Sequence, residues 1–381
     1  MSEVFLATLA TAVAGFTLMV LPMQTSSPSK MPLMLVLVCL GLLSTGPVIF
    51  AFLPWLTQLY ISVLPLLFFL LLPGLWFYHE ALIAEHQWHW TPAMYKHLLP
   101  LPFMAALGGA IFHLPEPLFT AMFFSGQSTD ELYIHLLSSA FFAAVLLWCV
   151  LSGCYIVMLL RRTVKYRNQL KDVFSNEQGK RLSWLNGVSL LIGFSWVYAL
   201  LVLIFEDTYT LFGVSENGVL VLLVTIVWVM CANGLRQRPG FEDNPPPTQN
   251  TAHELQQSTK SYERSALTHN DLAAIAERLT SAIDEKKAYL DPDLTLAKLS
   301  AIVSEPSQYI SQTLSQHLRT TFFDLINTAR IDSAKLMLAE TNQSVLDVAL
   351  ATGFNSRSSF YNAFRKYTGL TPGQYRKAQK T

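Results

Sequence analysis

Long apolar runs dominate the first 236 residues of the chain. A helix needs about 20 mainly apolar residues to cross a bilayer. Seven runs come near or exceed that length, at 4–21, 33–53, 57–77, 98–115, 132–160, 184–205 and 218–235. The first run lacks a preceding Lys or Arg and six runs follow it, so we expect it to be retained rather than cleaved as a signal peptide. The pattern predicts an all-α chain whose residues 1–236 form a seven-helix transmembrane bundle.

The pattern changes abruptly after residue 236. Residues 237–267 are polar and proline-rich and lack apolar periodicity, which is typical of a flexible tether. Residues 268–290 predict a connecting amphipathic helix that begins at Asn270 or Asp271. Its apolar face comprises Leu272, Ile275, Leu279 and Ile283. We expect this face either to pack on the domain that follows, which is the simpler interpretation, or to pair with a second copy of the chain.

The remaining residues, 291–381, are organised around the stretch from Ser344 to Arg376. A short helix is predicted there, ending at Gly353, because glycine permits the left-handed turn that terminates a helix. A second helix follows, with a capped start and two aromatic residues on one face. The defining residues are Val345, Val348 and Ala349 in the first helix, and Asn355, Ser356, Phe360 and Phe364 in the second. Two short helices around a glycine turn form the helix-turn-helix pattern.

The same stretch carries a long ordered motif. It comprises A-x-x-x-G-F (Ala349, Gly353, Phe354), then Ser356, Ser359 and Phe360, and then F-R-K-Y-T-G-L-T-P-x-x-Y-R from Phe364 to Arg376. This motif resembles the DNA-binding domain of the AraC family. The resemblance implies an all-helical module of two helix-turn-helix units that binds double-stranded DNA and often acts as a homodimer on repeated sites.

A first helix-turn-helix unit is expected ahead of the second. Its predicted segments are a helix at Leu296–Val303, a turn at Ser304–Pro306, a helix at Ser307–Leu318 and a joining helix from about Phe322 to Ala339. Two positions depart from the family pattern. Arg319 stands where relatives usually carry a turn glycine, and Pro306 replaces the more common capping serine.

Candidate DNA-contacting residues follow from this arrangement, because a recognition helix reads base edges with polar side chains near its N-terminal end. They are Arg357, Ser358 and Asn362 in the second unit, and Gln308, Ser311 and Gln312 in the first. Arg357 suits bidentate pairing with guanine, and Asn362 suits adenine. The resemblance implies the same six positions. Arg365, Lys366 and Arg376 are better suited to phosphate, where they add affinity without sequence information.

The two sides of the predicted bundle differ in charge. With the C-terminus inside, the inner loops and the segment after the last span hold all 11 Lys and Arg residues of the first 240 positions, and the outer segments hold none. This is the positive-inside pattern, and it predicts a bacterial inner (cytoplasmic) membrane protein with its N-terminus outside and its C-terminal domain in the cytoplasm. From Val348 onward there are six Lys or Arg residues and no Asp or Glu, which suits a surface that faces phosphate.

Other chemistry has little support in the sequence. His86 and His89 are three residues apart, which can place both on one helical face as metal ligands, although an interfacial segment anchored by Trp88 and Trp90 is the plainer interpretation. The four cysteines lie in apolar runs without C-x-x-C spacing. The chain has no G-x-S-x-G, H-E-x-x-H or P-loop motif, so we expect neither an enzyme nor a cofactor.

These patterns together predict a one-component transcription regulator held in a lipid bilayer. The membrane bundle would sense an unidentified small-molecule or envelope signal, and the two helix-turn-helix units would bind specific promoter DNA. Two alternatives stay open. The membrane part is a transporter or enzyme with an appended regulatory DNA-binding domain, or it is only an anchor from which the domain is released by proteolysis in the tether.

Overall fold

The computed structural model describes residues 2–24, 27–84, 88–125, 131–176, 182–204, 216–237 and 267–379. These residues form helices and connecting turns, with one isolated bridge and no strand among them, so the predicted all-α class is confirmed. Contacts divide the chain into two units, Met1–Thr163 with Leu182–Asn244, and Val164–Arg181 with Pro245–Thr381. The second unit therefore includes a segment that the sequence assigned to the membrane part. The predicted tether lies almost wholly outside the described residues.

The first unit is built from apolar helices. They are α1 (Ser2–Val20), α2 (Lys30–Ser44), α3 (Gly46–Phe52), α4 (Thr57–Ile83), α5 (Leu101–Phe112), α6 (Glu116–Thr120), α7 (Leu132–Val173), α8 (Ser183–Ile204) and α9 (Glu216–Gly234). Helix α7 begins in this unit and continues without interruption into the second.

Each of the seven predicted apolar runs contains helix. Within the described ranges, five helices are long and apolar enough to cross a membrane, judged by length and composition: Ser2–Met23, Lys30–Phe52, Pro54–Ile83, Leu132–Val173 and Asn217–Gly234. A bent pair, Pro92–Phe112 with Glu116–Phe124, would make six. The count of seven spans stays a prediction.

The helix of the fourth apolar run ends in a sharp bend. The piece that ends at Phe112 meets a second piece, Glu116–Phe124, at 114°. Leu114 precedes Pro115, and the residue before a proline avoids the α conformation. Gln58 partly compensates for the break, because its Nε2 donates to three main-chain oxygens near the end of α5 at 2.8 to 3.1 Å. The prediction of one run at 98–115 did not anticipate this break.

The second unit adds seven described helices after the tether. They are α10 (His269–Asp284), α11 (Leu296–Val303), α12 (Ser307–Gln312), α13 (Phe322–Glu340), α14 (Val345–Ala351), α15 (Arg357–Thr368) and α16 (Pro372–Gln379). The predicted bounds of α11 are confirmed, and α13 ends within one residue of its prediction. A wider π turn at Thr313–His317 follows α12, so the predicted second helix of the first unit is only partly α-helical.

A serine or threonine caps the start of five of these helices. The side chain of each accepts a hydrogen bond from the main-chain N–H three residues later, at 3.1 to 3.3 Å. These capping residues are Thr268, Thr295, Thr321, Ser344 and Ser356. Since a capped start is worth about 1 kcal/mol, these residues determine where the helices begin. Thr268 forms a capping box with Asp271, which corrects the predicted start of α10 from Asn270 or Asp271 to His269.

Left-handed residues end the helices of both helix-turn-helix units in the same way. Ser304 (φ 57°) and Gly353 (φ 86°) lie at the turns between the paired helices. Arg319 (φ 54°) and Gly369 (φ 75°) follow the second helix of each pair. The first unit therefore uses serine and arginine where the second uses glycine, at a cost of about 1 kcal/mol for each residue. Arg319, which stands where relatives of the family usually carry a turn glycine, adopts the left-handed backbone that a glycine would favour.

Two hydrophobic cores share the joining helix α13. The first core contains Phe322 and Ile326 from its beginning together with buried residues of α10, α11 and α12. The second contains Ile331, Ala334 and Leu338 from its later turns together with residues of α14 and α15. The apolar face of α10 lies in the first core, so it packs within the chain, as the simpler interpretation held.

Candidate nucleic-acid interface

Helix α15 divides cleanly into a buried and an exposed face. Phe360 and Phe364 have no solvent-accessible surface and anchor the helix in the second core. Ser358 and Asn362 are exposed on the opposite side. The helix starts immediately after its cap at Ser356, so Arg357 and Ser358 occupy its first turn, and Arg357 is exposed there, nearer the side of Phe360. The structure thus exposes all three predicted base-contacting residues of the second unit, and Ser358 and Asn362 share one face.

Tyr361 supports the side chain of Arg357. The guanidinium lies 5.1 Å from the centre of the tyrosine ring, and its Nη2 lies 3.3 Å from the tyrosine hydroxyl. Cation–π contact and a hydrogen bond reduce the rotamers open to the arginine. Tyr361 was not predicted from the sequence, although its spacing of four from Arg357 on a predicted helix is the signal that identifies it.

The first unit presents a smaller polar surface. Gln308 is exposed, whereas Ser311 and Gln312 are half-buried. The Nε2 of Gln312 donates to Oε1 of Gln316 at 3.1 Å, so its amide already has one partner on the same helical turn. The three residues lie on α12, which carries six residues of regular helix.

The three predicted phosphate contacts have different surroundings. Arg365 is exposed. Lys366 is also exposed, but its Nζ pairs with Asp324 at 2.7 Å. Arg376 is half-buried, and its Nη2 donates to the main-chain oxygen of Gln343 at 2.6 Å. The guanidinium of Arg376 therefore joins the last helix to the loop before α14, a structural contact that the sequence analysis missed.

Asp324 forms a polar cluster that joins α13 to α15. Its carboxylate accepts hydrogen bonds from Lys366, from the hydroxyl of Tyr367 at 2.6 Å and from Thr321 at 3.0 Å. Burial acts to raise the pKa of this carboxyl, but the three donors and the charge of Lys366 outweigh it and lower the pKa. The carboxylate form is therefore favoured in the folded chain.

The Asp324 cluster makes the stability of this contact depend on pH. Because the folded pKa lies below the unfolded value of about 3.9, the contribution is complete above that value and is lost as pH falls through the folded pKa. We expect the Asp324→Asn variant to lack this acid dependence. Hydrogen exchange of α15 between neutral pH and about pH 3, corrected for intrinsic rates, measures it. Equal acid dependence in the variant and the parent chain would contradict this.

Arg330 is buried between the two helix-turn-helix units. Only 1% of its surface is accessible. Its Nε donates to the main-chain oxygen of Tyr289 at 2.8 Å, and its Nη2 donates to that of Asp291 at 2.7 Å and to Ser175 Oγ at 3.3 Å. Burial lowers its pKa to about 10, against the opposing charges of Asp291 and Asp293, so it stays protonated at neutral pH. This arginine fixes the loop before α11 to the joining helix.

The candidate metal site lies partly outside the described residues, because His86 is not among them. His89 is described. Two neighbouring histidines have separate protein partners, with His79 Nε2 2.9 Å from Thr163 Oγ1 and His97 Nδ1 2.6 Å from the hydroxyl of Tyr155. The described residues contain no group of three or more potential metal ligands.

Known proteins resemble the C-terminal part of this chain. Residues 299–378 match the family described as "Helix-turn-helix domain". An uncharacterised HTH-type transcriptional regulator of Staphylococcus aureus (strain COL) is 34% identical over 100 residues, which are 26% of this chain and 13% of that protein. The melibiose operon regulatory protein of Escherichia coli (strain K12) is 36% identical over 87 residues, 23% of this chain and 29% of that protein. The chain thus spans less than a third of either relative.

A solved structure is also similar to part of this chain. It is the C-terminal domain of the two-component response regulator yesN from Fusobacterium nucleatum, 31% identical, covering 26% of this chain and 96% of that one, with a TM-score of 0.25. The matched family and the regulators that this chain resembles place its C-terminal region among the AraC-type helix-turn-helix domains. Domains of this class bind double-stranded DNA.

Proposed function

We propose that this chain is a membrane-bound, one-component transcription regulator that reads promoter DNA through two helix-turn-helix units. The observation that carries the proposal is that Arg357, Ser358 and Asn362 are all solvent-exposed on α15, whose aromatic residues Phe360 and Phe364 are fully buried. Gln308, Ser311 and Gln312 of α12 are the proposed base contacts of the first unit. Arg365, Lys366 and Arg376 are the proposed phosphate contacts.

The membrane part of the proposal rests on the helices of the first unit. Five of the described helices, or six with the bent pair, have the length and composition of membrane spans. All 11 basic residues of the first 240 positions fall on one side of the seven-span arrangement. This orientation puts the DNA-binding domain in the cytoplasm of a bacterial cell, where its DNA is. The membrane domain would receive a small-molecule or envelope signal, and the domain would act as a homodimer.

Arg357→Ala tests the proposed DNA contact. A bidentate arginine–guanine pair discriminates against the wrong base by about 1–3 kcal/mol. We therefore expect the variant to lose about 5- to 150-fold in affinity for a selected duplex while its affinity for random DNA stays nearly unchanged. Fluorescence anisotropy with both duplexes at two salt concentrations measures this.

Arg365→Ala is the matched control for this experiment. A phosphate contact contributes equally to any sequence, so its loss should weaken both duplexes alike and reduce the salt dependence. If Arg357→Ala behaves as Arg365→Ala does, Arg357 contacts phosphate instead of a base.

A further inference from the structure

The end of α7 belongs to the same compact unit as the helix-turn-helix domain. We refer to residues 164–176 as the α7 end. Tyr166, Leu170 and Phe174 follow one another at intervals of four and are at most 3% exposed, so they form one buried face. Phe174 makes an antiparallel bridge with Thr295, the capping residue of α11. The α7 end is therefore seated on the first helix-turn-helix unit.

Ser175 secures this contact with four hydrogen bonds. Its N–H and its Oγ both donate to the main-chain oxygen of Leu294, at 3.3 and 2.7 Å. Its main-chain oxygen accepts from Asn327 Nδ2 at 3.1 Å, and its Oγ accepts from Arg330 Nη2 at 3.3 Å. Ser175 is only 2% exposed. Asn327 and Arg330 are buried on the joining helix, so a single serine connects α7 to the centre of the domain.

A cavity of about 480 Å³ lies between the α7 end and the recognition helix of the second unit. Arg167 and Lys171 line it from the α7 end. Ser358, Asn362 and Lys366 line it from α15. Two of the three proposed base contacts of the second unit and one proposed phosphate contact therefore face the α7 end across this space.

The α7 end leaves a cleft of only about 480 Å³ in front of Ser358 and Asn362. A recognition helix must instead enter a major groove about 12 Å wide, between two phosphate backbones. A helix is itself about 10 Å across, so the α7 end and a duplex cannot occupy the space in front of Ser358 and Asn362 together.

The cavity walls also carry like charge. Arg167 and Lys171 are cationic on one side, Lys366 on the other is cationic but paired with Asp324, and no carboxylate is among the described residues that line the cavity. Among the described residues, neither Arg167 nor Lys171 forms an ion pair. The contact between the α7 end and the domain therefore depends on Phe174 and Ser175 rather than on electrostatic attraction across the cavity.

We propose that the α7 end is an autoinhibitory element that covers the base-reading face of α15 and must leave before the domain binds DNA. This inference rests on the proposed function, since it concerns the regulation of the same DNA surface. Helix α7 runs unbroken from Leu132, in the apolar unit, to Val173. A movement of α7 would thus be transmitted directly to Ser175 and would uncover Ser358 and Asn362.

A reversible disulfide tests whether release is required. Opposed residues of an antiparallel bridge have Cα atoms about 4.5–5.5 Å apart, within the range of disulfides. The full chain carrying Phe174→Cys and Thr295→Cys can therefore be closed by oxidation and opened by dithiothreitol. We expect the oxidised form to bind a duplex, selected from a random library by the reduced form, about tenfold more weakly or worse. Reduction of the same sample should restore binding.

Each other outcome of the disulfide experiment has a definite meaning. Equal affinity of the two forms overturns autoinhibition but leaves DNA binding intact, and tighter binding by the oxidised form makes the α7 end part of the DNA surface instead. Failure of the disulfide to form, checked by mass spectrometry, rejects the docked geometry. If neither form enriches any duplex, the proposed function fails and the inference fails with it.

Two further variants distinguish release of the α7 end from unfolding of the domain. Thr295→Cys alone, oxidised in the same way, controls for the lost helix cap and for the four native cysteines. Phe174→Asp removes the buried aromatic ring of the bridge and should release the α7 end, so it should bind the selected duplex more tightly than the parent chain. Unchanged hydrogen exchange in α13 would show that the domain stays folded in this variant, and weaker binding by the folded variant would contradict the proposal.

Discussion

Replacing Gly353 with alanine is expected to destabilise the C-terminal domain by about 2–4 kcal/mol. The glycine has φ 86°, where an L side chain is strained by about 1–3 kcal/mol. A Cβ added here would also lie 2.5 Å from the main-chain oxygen of Tyr289 and 3.0 Å from that of Leu290. Because both oxygens belong to the backbone, neither can rotate away, and the loop before α11 would have to move.

Gly369→Ala is the matched control for Gly353→Ala. Gly369 has a similar φ of 75°, but an added Cβ would meet no atom within 4 Å. Its replacement should therefore cost only the backbone strain, about 1 kcal/mol. Hydrogen exchange of α14 and α15 in the full chain measures both losses as opening free energies. If the two variants lose equal stability, the close approach of the Tyr289 and Leu290 carbonyls is not a cause.

The helices of the C-terminal domain follow from local sequence rules. The capping residues Thr295, Ser344 and Ser356 each stand directly before a run of helical apolar spacing, so the helix starts could be predicted from side-chain chemistry alone. Gly353 likewise predicts the left-handed turn that follows α14. The left-handed conformation of Ser304 was not predictable in this way, because serine has no intrinsic preference for it.

The presence of helices in the first unit could be predicted from the sequence, but the bend between two of them could not. All seven apolar runs contain helix, because hydrophobicity over 20 residues is a strong signal. The bend between α5 and α6 depends on Gln58, which supplies hydrogen bonds from more than 50 residues away in the sequence. No local pattern around the break identifies such a partner.

The candidate DNA surface was predictable where it depends on helix periodicity. Ser358 and Asn362 lie opposite Phe360 and Phe364 on α15, as a period of 3.6 residues requires, whereas Arg357 is exposed in the first turn, nearer the side of the two phenylalanines. The partners of the basic residues were not predictable, because they come from other elements. Lys366 pairs with a residue 42 positions earlier, and Arg376 with one 33 positions earlier.

The contact of the α7 end is the clearest case of information absent from the sequence pattern. Ser175 meets Leu294, 119 residues later, across the predicted tether. The apolar runs on either side predict that residue 175 lies in an inner loop between two spans, and the basic residues of that loop agree with this position. Only tertiary contacts connect that loop to Asn327 and Arg330, and through them to the domain that the sequence placed beyond a tether.

Replacing Arg330 with methionine is expected to destabilise the domain by about 2–5 kcal/mol. Methionine fills a similar volume but donates no hydrogen bond. The main-chain oxygens of Tyr289 and Asp291 would lose their arginine donor, and each buried acceptor left unsatisfied costs about 1–3 kcal/mol. Removing a buried charge recovers part of this loss, since burial already lowers the pKa of Arg330 to about 10.

The position of Arg330 determines where this loss should appear. Its guanidinium lies 5.6 Å from the ring of Phe354 in the second core, while its hydrogen bonds hold the loop before α11 in the first unit. Hydrogen exchange should therefore increase in both units, in contrast to Phe364→Ala, which removes a side chain of the second core alone. Arg330→Lys keeps the charge but lacks a planar fork to reach two carbonyls, so an intermediate loss is expected. If Arg330→Met proves as stable as the parent chain, the desolvation of the guanidinium costs as much as its hydrogen bonds return.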